Sequence, residues 1–285
     1  MRGGAWLLWA ACLWLADGAA DGADKIAGRL SAPDALTMPG RQVTLEARLL
    51  RVGLLAQTGL GGEQVEFLVN GKPVGTAMTG GDGRAFLRHT PRMRGNQVVT
   101  VRLASSKRVE SEPATATLAC WERRRPILLV DLAALVGEPE APSLPLPSFP
   151  RAVGPADRPA PAAEAAEELK KLTDYFFNVM YLARSDRQGG REESQAWLKQ
   201  HKLPLGYLVA LKGGEDALTE LIDRMRAEGW DNLKAGVGRT RDFAEALVSR
   251  RLEVVIMPAS SRDEDVPKKA RVVKDWKEVR RKLQD

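Results

Sequence analysis

The stretch Arg125–Gly137, RPILLVDLAALVG, carries four apolar residues, Ile127 to Val130, directly into one carboxylate, Asp131, and is apolar again at once. A short unbroken apolar run of this kind reads as a strand covered on both faces, the condition of an inner strand in a parallel sheet. Asp131 then stands at the strand's carboxyl end, where open α/β sheets bind their ligands. Two readings of it are open: an attacking nucleophile, or the remnant of one.

Downstream, the apolar runs NVMYLAR, GYLVALK, LKAGVG and LEVVIM alternate with helical patterns, which predicts an α/β domain over residues 121–285. Leu218, Leu221, Ile222 and Met225 recur at helical spacing with Gly229 placed to close the helix, and Trp276, Val279 and Leu283 repeat the pattern in the last segment. Between the first strand and its helix lies GEPEAPSLPLPSFPRAVGPADRPAPAA, too rich in proline for helix or inner strand. We read residues 137–162 as an insertion over the carboxyl end of the sheet, either a lid or an excursion without a role.

Upstream the period changes to two. QVTLEARL and NQVVTVRLA alternate apolar and polar residues, and VEFLVNGKPVG sets Asn70-Gly71 between two extended runs, as a tight hairpin with two positive φ angles requires. The spacing predicts an antiparallel β-sandwich over residues 24–120. The run with Val65, Phe67, Val69 and Gly71, followed by Thr79, Gly83 and Ala85, resembles the bacterial immunoglobulin-like repeats of surface and secreted proteins. That resemblance implies adhesion, spacing or docking to an envelope protein rather than chemistry.

At the start of the chain, MRGG supplies one positive charge, AWLLWAACLWLA an apolar run too short to span a bilayer comfortably, and DGAADGA small residues suited to cleavage after Ala20 or Ala23. We therefore expect residues 1–23 to be a signal peptide and the protein to be exported to a periplasmic or extracellular space; the alternative is an uncleaved anchor. Cys12 would leave with the leader, so Cys120 has no partner for an internal disulfide and reads as a small buried hydrophobe. The formal charge of +6, from 43 basic and 37 acidic residues, is modest and scattered, with no aromatic residues interleaved in a basic stripe. Nucleic acid is not an expected partner. The two histidines, His89 and His201, fall in separate segments and make no zinc site.

The α/β segment resembles the haloacid-dehalogenase-like phosphatase superfamily and, within it, the lipin and LNS2 branch. The residues carrying the likeness are Tyr181, Leu182 and Arg184; Trp197 and Leu198; Leu203, Pro204 and Gly206; and then Gly236, Gly238, Arg239 and Asp242. The fold class expected for the whole chain is therefore multidomain β plus α/β: an immunoglobulin-like sandwich followed by a haloacid-dehalogenase-like domain with a parallel sheet.

The resemblance implies a first-strand aspartate that attacks phosphorus, a second aspartate two residues on as general acid and base, and Mg2+ held by the first aspartate and an acidic residue of the last motif. Asp131 fills the first role, but Ala133 stands where the proton donor is expected, and Ala134 and Leu135 replace the usual glycine and threonine. Ala183 replaces a hydroxyl, with Ser185 arriving late; Lys212 is the candidate phosphate lysine; Asp242 is the single carboxylate of the last motif, or the cap of the helix FAEALVSRR. Loss of one acid or base costs a factor of roughly 10² to 10⁴ in rate, so several losses together predict an inactive phosphatase. The expected site is a cleft gripping a phosphorylated or anionic ligand, such as an anionic lipid headgroup, through Arg184, Ser185, Lys212 and Arg239, with no cofactor. The alternative is an active hydrolase with Asp131 as nucleophile and magnesium at Asp131 and Asp242. The basic segment KKARVVKDWKEVRRKLQ adds to membrane attraction or is a plain solvated helix.

Overall fold

The computed structural model describes residues 25–53, 57–137, 160–184, 190–213, 216–257 and 266–284. The apolar leader, Ser185 and the body of the proline-rich insertion lie outside them.

Nine strands come first: β1 (Ile26–Ser31), β2 (Ala35–Thr37), β3 (Val43–Arg51), β4 (Gln64–Val69), β5 (Lys72–Met78), β6 (Arg84–His89), β7 (Gly95–Leu103), β8 (Val109–Glu110) and β9 (Ala114–Cys120). They form two sheets, ordered β6-β3-β1-β8 and β2-β9-β7-β4-β5. The alternation read from the sequence supplies the core between them: Leu45, Ala47 and Leu49 of β3 face Val65 and Phe67 of β4, Val99 and Val101 of β7, and Leu118 of β9. The opening strand is shared. β1 runs antiparallel to β3, the chain breaks at Ala32-Pro33, and β2 joins the other sheet parallel to β9. Pro33 suits that break because it has no N–H to give a ladder. This strand order is that of an immunoglobulin-like sandwich. Asn70 and Gly71 take φ of 49° and 77°, the conformation the hairpin between β4 and β5 demands.

The second domain contains β10 (Ile127–Asp131), α1 (Leu132–Leu135), α2 (Ala165–Tyr175), β11 (Asn178–Arg184), α3 (Gly190–Gln200), β12 (Tyr207–Leu211), α4 (Ala217–Ala227), β13 (Leu233–Gly238), α5 (Arg241–Ser249), β14 (Glu253–Ile256), β15 (Arg271–Val272) and α6 (Trp276–Gln284). The sheet order is β12-β11-β10-β13-β14-β15, with every pairing parallel. The quoted stretch is thus central, as a run buried on both faces requires. Leu128 and Val130 of β10 point into the layer formed by Leu169 and Leu172 of α2, Trp197 of α3 and Trp276 of α6. Ile127 and Leu129 point the other way, into Leu221 and Ile222 of α4 and Phe243 and Leu247 of α5. Counted along the domain, this order reverses between its first and fourth strands, β10 and β13, which makes the carboxyl ends of these two strands the topological switch point. Gly229 (φ 86°) closes α4 as anticipated, with Gly229 N donating to Arg226 O and Trp230 N to Met225 O.

The domains meet along β12, the border strand of the parallel sheet. Trp121 is buried edge-on against Tyr207 and Trp230, with centroids 6.3 and 6.5 Å away, while its Nε1 donates to Asn96 Oδ1 at 2.7 Å. Asp34, just past the break at Pro33, joins both sides. Its Oδ1 accepts from Thr117 N (2.8 Å) and Gln195 Nε2 (2.7 Å), and its Oδ2 accepts from Leu208 N at 2.8 Å. The carboxylate thereby satisfies an outward amide of the border strand. Beside it lies a cavity of about 240 Å³ between β9, α3 and the segment Leu203–Gly206. Asp34 is the acid lining this cavity, and its oxygens are committed to the three donors named.

Candidate site at the switch point

Asp131 ends β10 and caps α1. The residue is 3% exposed, its Oδ1 accepts from Ala133 N at 3.0 Å, and its Oδ2 faces Arg184 Nε at 3.7 Å. Burial raises its carboxyl above the ordinary value of 3.8, against the opposing pull of the Ala133 amide and the Arg184 guanidinium. The carboxylate therefore has local structural duties at both oxygens. It satisfies the Ala133 N–H at the start of a helix only four residues long, and it neutralises a neighbouring cation.

The other residues singled out by sequence lie at the same end of the sheet to different degrees. Arg184 closes β11, next to β10, two residues beyond the Asp131–Leu182 pair. Arg239 follows β13, on the other side of β10, and is half-buried. Lys212 follows β12, two strands from Asp131, and is exposed. Ser185 lies outside the described residues. Three cations thus stand at strand ends around one acid.

Asp242 is not the helix cap considered from sequence. Thr240 takes that role: its Oγ1 accepts from Phe243 N at 3.3 Å, leaving Asp242 exposed in the first turn of α5. A threonine three residues before the first buried helical residue is a recognisable signal, and it outranks the acid because the cap needs extended backbone, which Thr240 has (φ −106°, ψ 155°). Magnesium, implied by the family likeness, meets a poor donor set here. The free oxygen of Asp131 already faces a guanidinium, and no group of three or more histidine, cysteine or acidic residues placed to hold a metal occurs among the described residues.

The glycines and aromatics that carry the likeness have packing explanations. A Cβ on Gly238 would lie 2.2 Å from Phe243 Cδ1, and one on Gly236 2.2 Å from Leu247 Cδ2, so both glycines let α5 close onto β13. Gly206 similarly admits the Tyr181 ring, 2.7 Å from where its Cβ would stand, and Tyr181 Oη donates to Pro204 O at 2.8 Å. The ends of the proline-rich insertion are pinned: Gly137 N donates to Ala160 O (3.0 Å) and Ala162 N to Leu135 O (2.7 Å). The basic tail is partly consumed by structure. Lys277 pairs with Glu164 at 2.6 Å and Arg280 with the buried Glu168. Cys120 is fully buried, and burial raises its thiol pKa.

No family model matches the chain, and no curated protein matches it. Among solved structures, it is similar to the fibronectin(III)-like modules of Clostridium thermocellum CbhA, at 12% identity and TM-score 0.23 over 32% of this chain and 95% of that one. It is also similar to the D0-D1 domain of Intimin, at 15% identity and TM-score 0.25 over 33% of this chain and 46% of that one. A third similarity, to a Bacteroides uniformis beta-glucuronidase, spans 80% of this chain and 35% of that one at 10% identity and TM-score 0.26. Scores of this size carry no argument about activity, and the immunoglobulin-like architecture is read from strand order and pairing.

Proposed function

We propose that the protein is an exported binding protein whose α/β domain is a haloacid-dehalogenase-like, lipin/LNS2-like scaffold that receives a phosphorylated or anionic ligand at the switch point without hydrolysing it. Arg184 and Arg239 flank the end of β10 and supply guanidinium forks suited to phosphate, with Lys212 as an outer charge. An anionic lipid headgroup and a free phosphorylated metabolite share the chemistry recognised. The immunoglobulin-like domain acts as spacer or as a docking module for an envelope protein. One observation carries the reading: the carboxylate that would attack phosphorus is buried, bonded to its own helix and faced by Arg184 at 3.7 Å, with Ala133 where a proton donor would be needed.

The test is melting of the protein with inorganic phosphate, glycerol 3-phosphate and phosphatidic acid, because a ligand selective for the native state raises the melting temperature. We expect at least one of these to raise it, Arg184→Ala and Arg239→Ala to abolish the rise, and Asp131→Asn to enlarge it by freeing Arg184 from its counter-charge. Turnover of p-nitrophenyl phosphate with magnesium that Asp131→Asn abolishes would overturn the proposal in favour of a hydrolase. Absence of any shift would defeat ligand binding at this site.

A further inference from the structure

The outward face of β6, β3 and β1 carries a pattern that the strand-end site does not use. Residues opposite one another in a ladder share a face. Thr44 lies opposite Arg88, Glu46 opposite Phe86, Arg48 opposite Arg84 and Ser31, and Leu50 opposite Arg29. Val52 extends the series, its N–H donating to Ala27 O. Arg29, Arg48, Arg84 and Arg88 are exposed, and so are two large apolar side chains, Phe86 (54%) and Val52 (53%).

The acids of this face are few. Glu46 and Asp82 reach Arg84 at 3.6 and 3.5 Å, and Glu110 sits opposite Ala27. Arg29, Arg48 and Arg88 enter no ion pair among the described residues. Three strands of strand spacing and eight residues of rise give a patch of about 10 Å by about 27 Å.

We propose that this face docks on an anionic lipid bilayer, with the arginines among the headgroup phosphates and Phe86 and Val52 entering the interface. Charge alone would suit any polyanion. Exposed apolar side chains interspersed with arginines suit a partner that offers negative charge and hydrocarbon at the same surface, and a bilayer offers both. The surface is on the other domain from Arg184 and Arg239, so it stands or falls separately from the strand-end ligand.

Sedimentation with vesicles tests it, using the chain from Lys25 onward, which holds every described element and both cores. Vesicles of phosphatidylcholine alone are compared with equal mixtures of phosphatidylcholine and phosphatidylglycerol. We expect binding to the mixed vesicles only, weakened by salt. Arg48→Glu with Arg88→Glu should weaken it at least about tenfold, since each basic residue near such a surface contributes about a fivefold factor. Phe86→Ser should weaken it severalfold, Arg29→Glu should reproduce the charge effect, and Arg224→Glu, an exposed position on α4 of the other domain, should leave it unchanged. Unaltered melting temperatures identify the variants as folded. Equal binding to both vesicles, no effect of the sandwich variants, or loss of binding in Arg224→Glu would each overturn the proposal. So would polyglutamate binding as tightly as vesicles with no effect of Phe86→Ser, which would make the partner a soluble polyanion.

Discussion

Replacement of Asp34 by alanine removes one acceptor from three donors, two of which are backbone amides on different domains: Thr117 N and Leu208 N, each at 2.8 Å, with Gln195 Nε2 at 2.7 Å. A hydrogen bond to a charged acceptor is worth about 1.5–3 kcal/mol, and an amide left buried without a partner costs its desolvation besides. Gln195 can turn toward water, so the two amides set the loss. Against it stands relief of a carboxylate whose pKa burial raises, opposed by the Thr117 and Leu208 amides, Arg191 and Gln195. The net expectation is a loss of about 2–4 kcal/mol, with Asp34→Asn losing about half as much because one acceptor oxygen remains. Urea denaturation gives the total, and hydrogen exchange gives its location, since Leu208 and Thr117 amides should lose protection while Val130 in the centre of β10 keeps it. An unchanged denaturation midpoint together with unchanged exchange at Leu208 would refute the claim that this carboxylate joins the domains.

Gly238→Ala should destabilise the α/β domain by about 1–3 kcal/mol through overpacking against Phe243; the double variant with Phe243→Leu should recover part of that loss in urea titrations, which a phosphate-binding glycine would not show. Asp131 gives a pH signature. Its folded pKa lies above the ordinary 3.8, so above that value the native state holds more protons than the unfolded chain and stability falls as pH rises through the raised folded pKa. Urea midpoints measured across that window should show the slope shrink in Asp131→Asn, which still offers an oxygen to Ala133 N. Thr240→Ala should cost about 1 kcal/mol by uncapping α5, whereas Asp242→Ala should cost clearly less, as thermal melts would show.

The regular elements could be read from the chain because their causes are local. Asn70-Gly71 dictates its hairpin, Gly229 its helix end, and the unbroken run Ile127–Val130 its central position, each through a backbone preference or a burial period that a few neighbours define. Asp34 could not be read this way. Its partners Thr117, Gln195 and Leu208 lie 83, 161 and 174 positions distant, and nothing in the local sequence of Pro33-Asp34 distinguishes a domain joint from an ordinary turn. The glycines of the strand after α4 are ambiguous in another way. Gly236 and Gly238 carry part of the family likeness, but the absence of a Cβ also admits a helix side chain at close range, and sequence does not say which close approach a glycine serves. The four arginines on the sandwich were invisible as a group, because they come from three strands whose adjacency only the ladder supplies.

The covered border of β12 also bears on how the two domains can be separated. On the opposite border the sheet ends in β15, two residues long, so the long unguarded margin that would invite another chain exists only if the sandwich is taken away. An isolated α/β domain beginning at Trp121 would bare the β12 amides together with Trp121 and Tyr207, and such a fragment should self-associate more strongly than the intact protein.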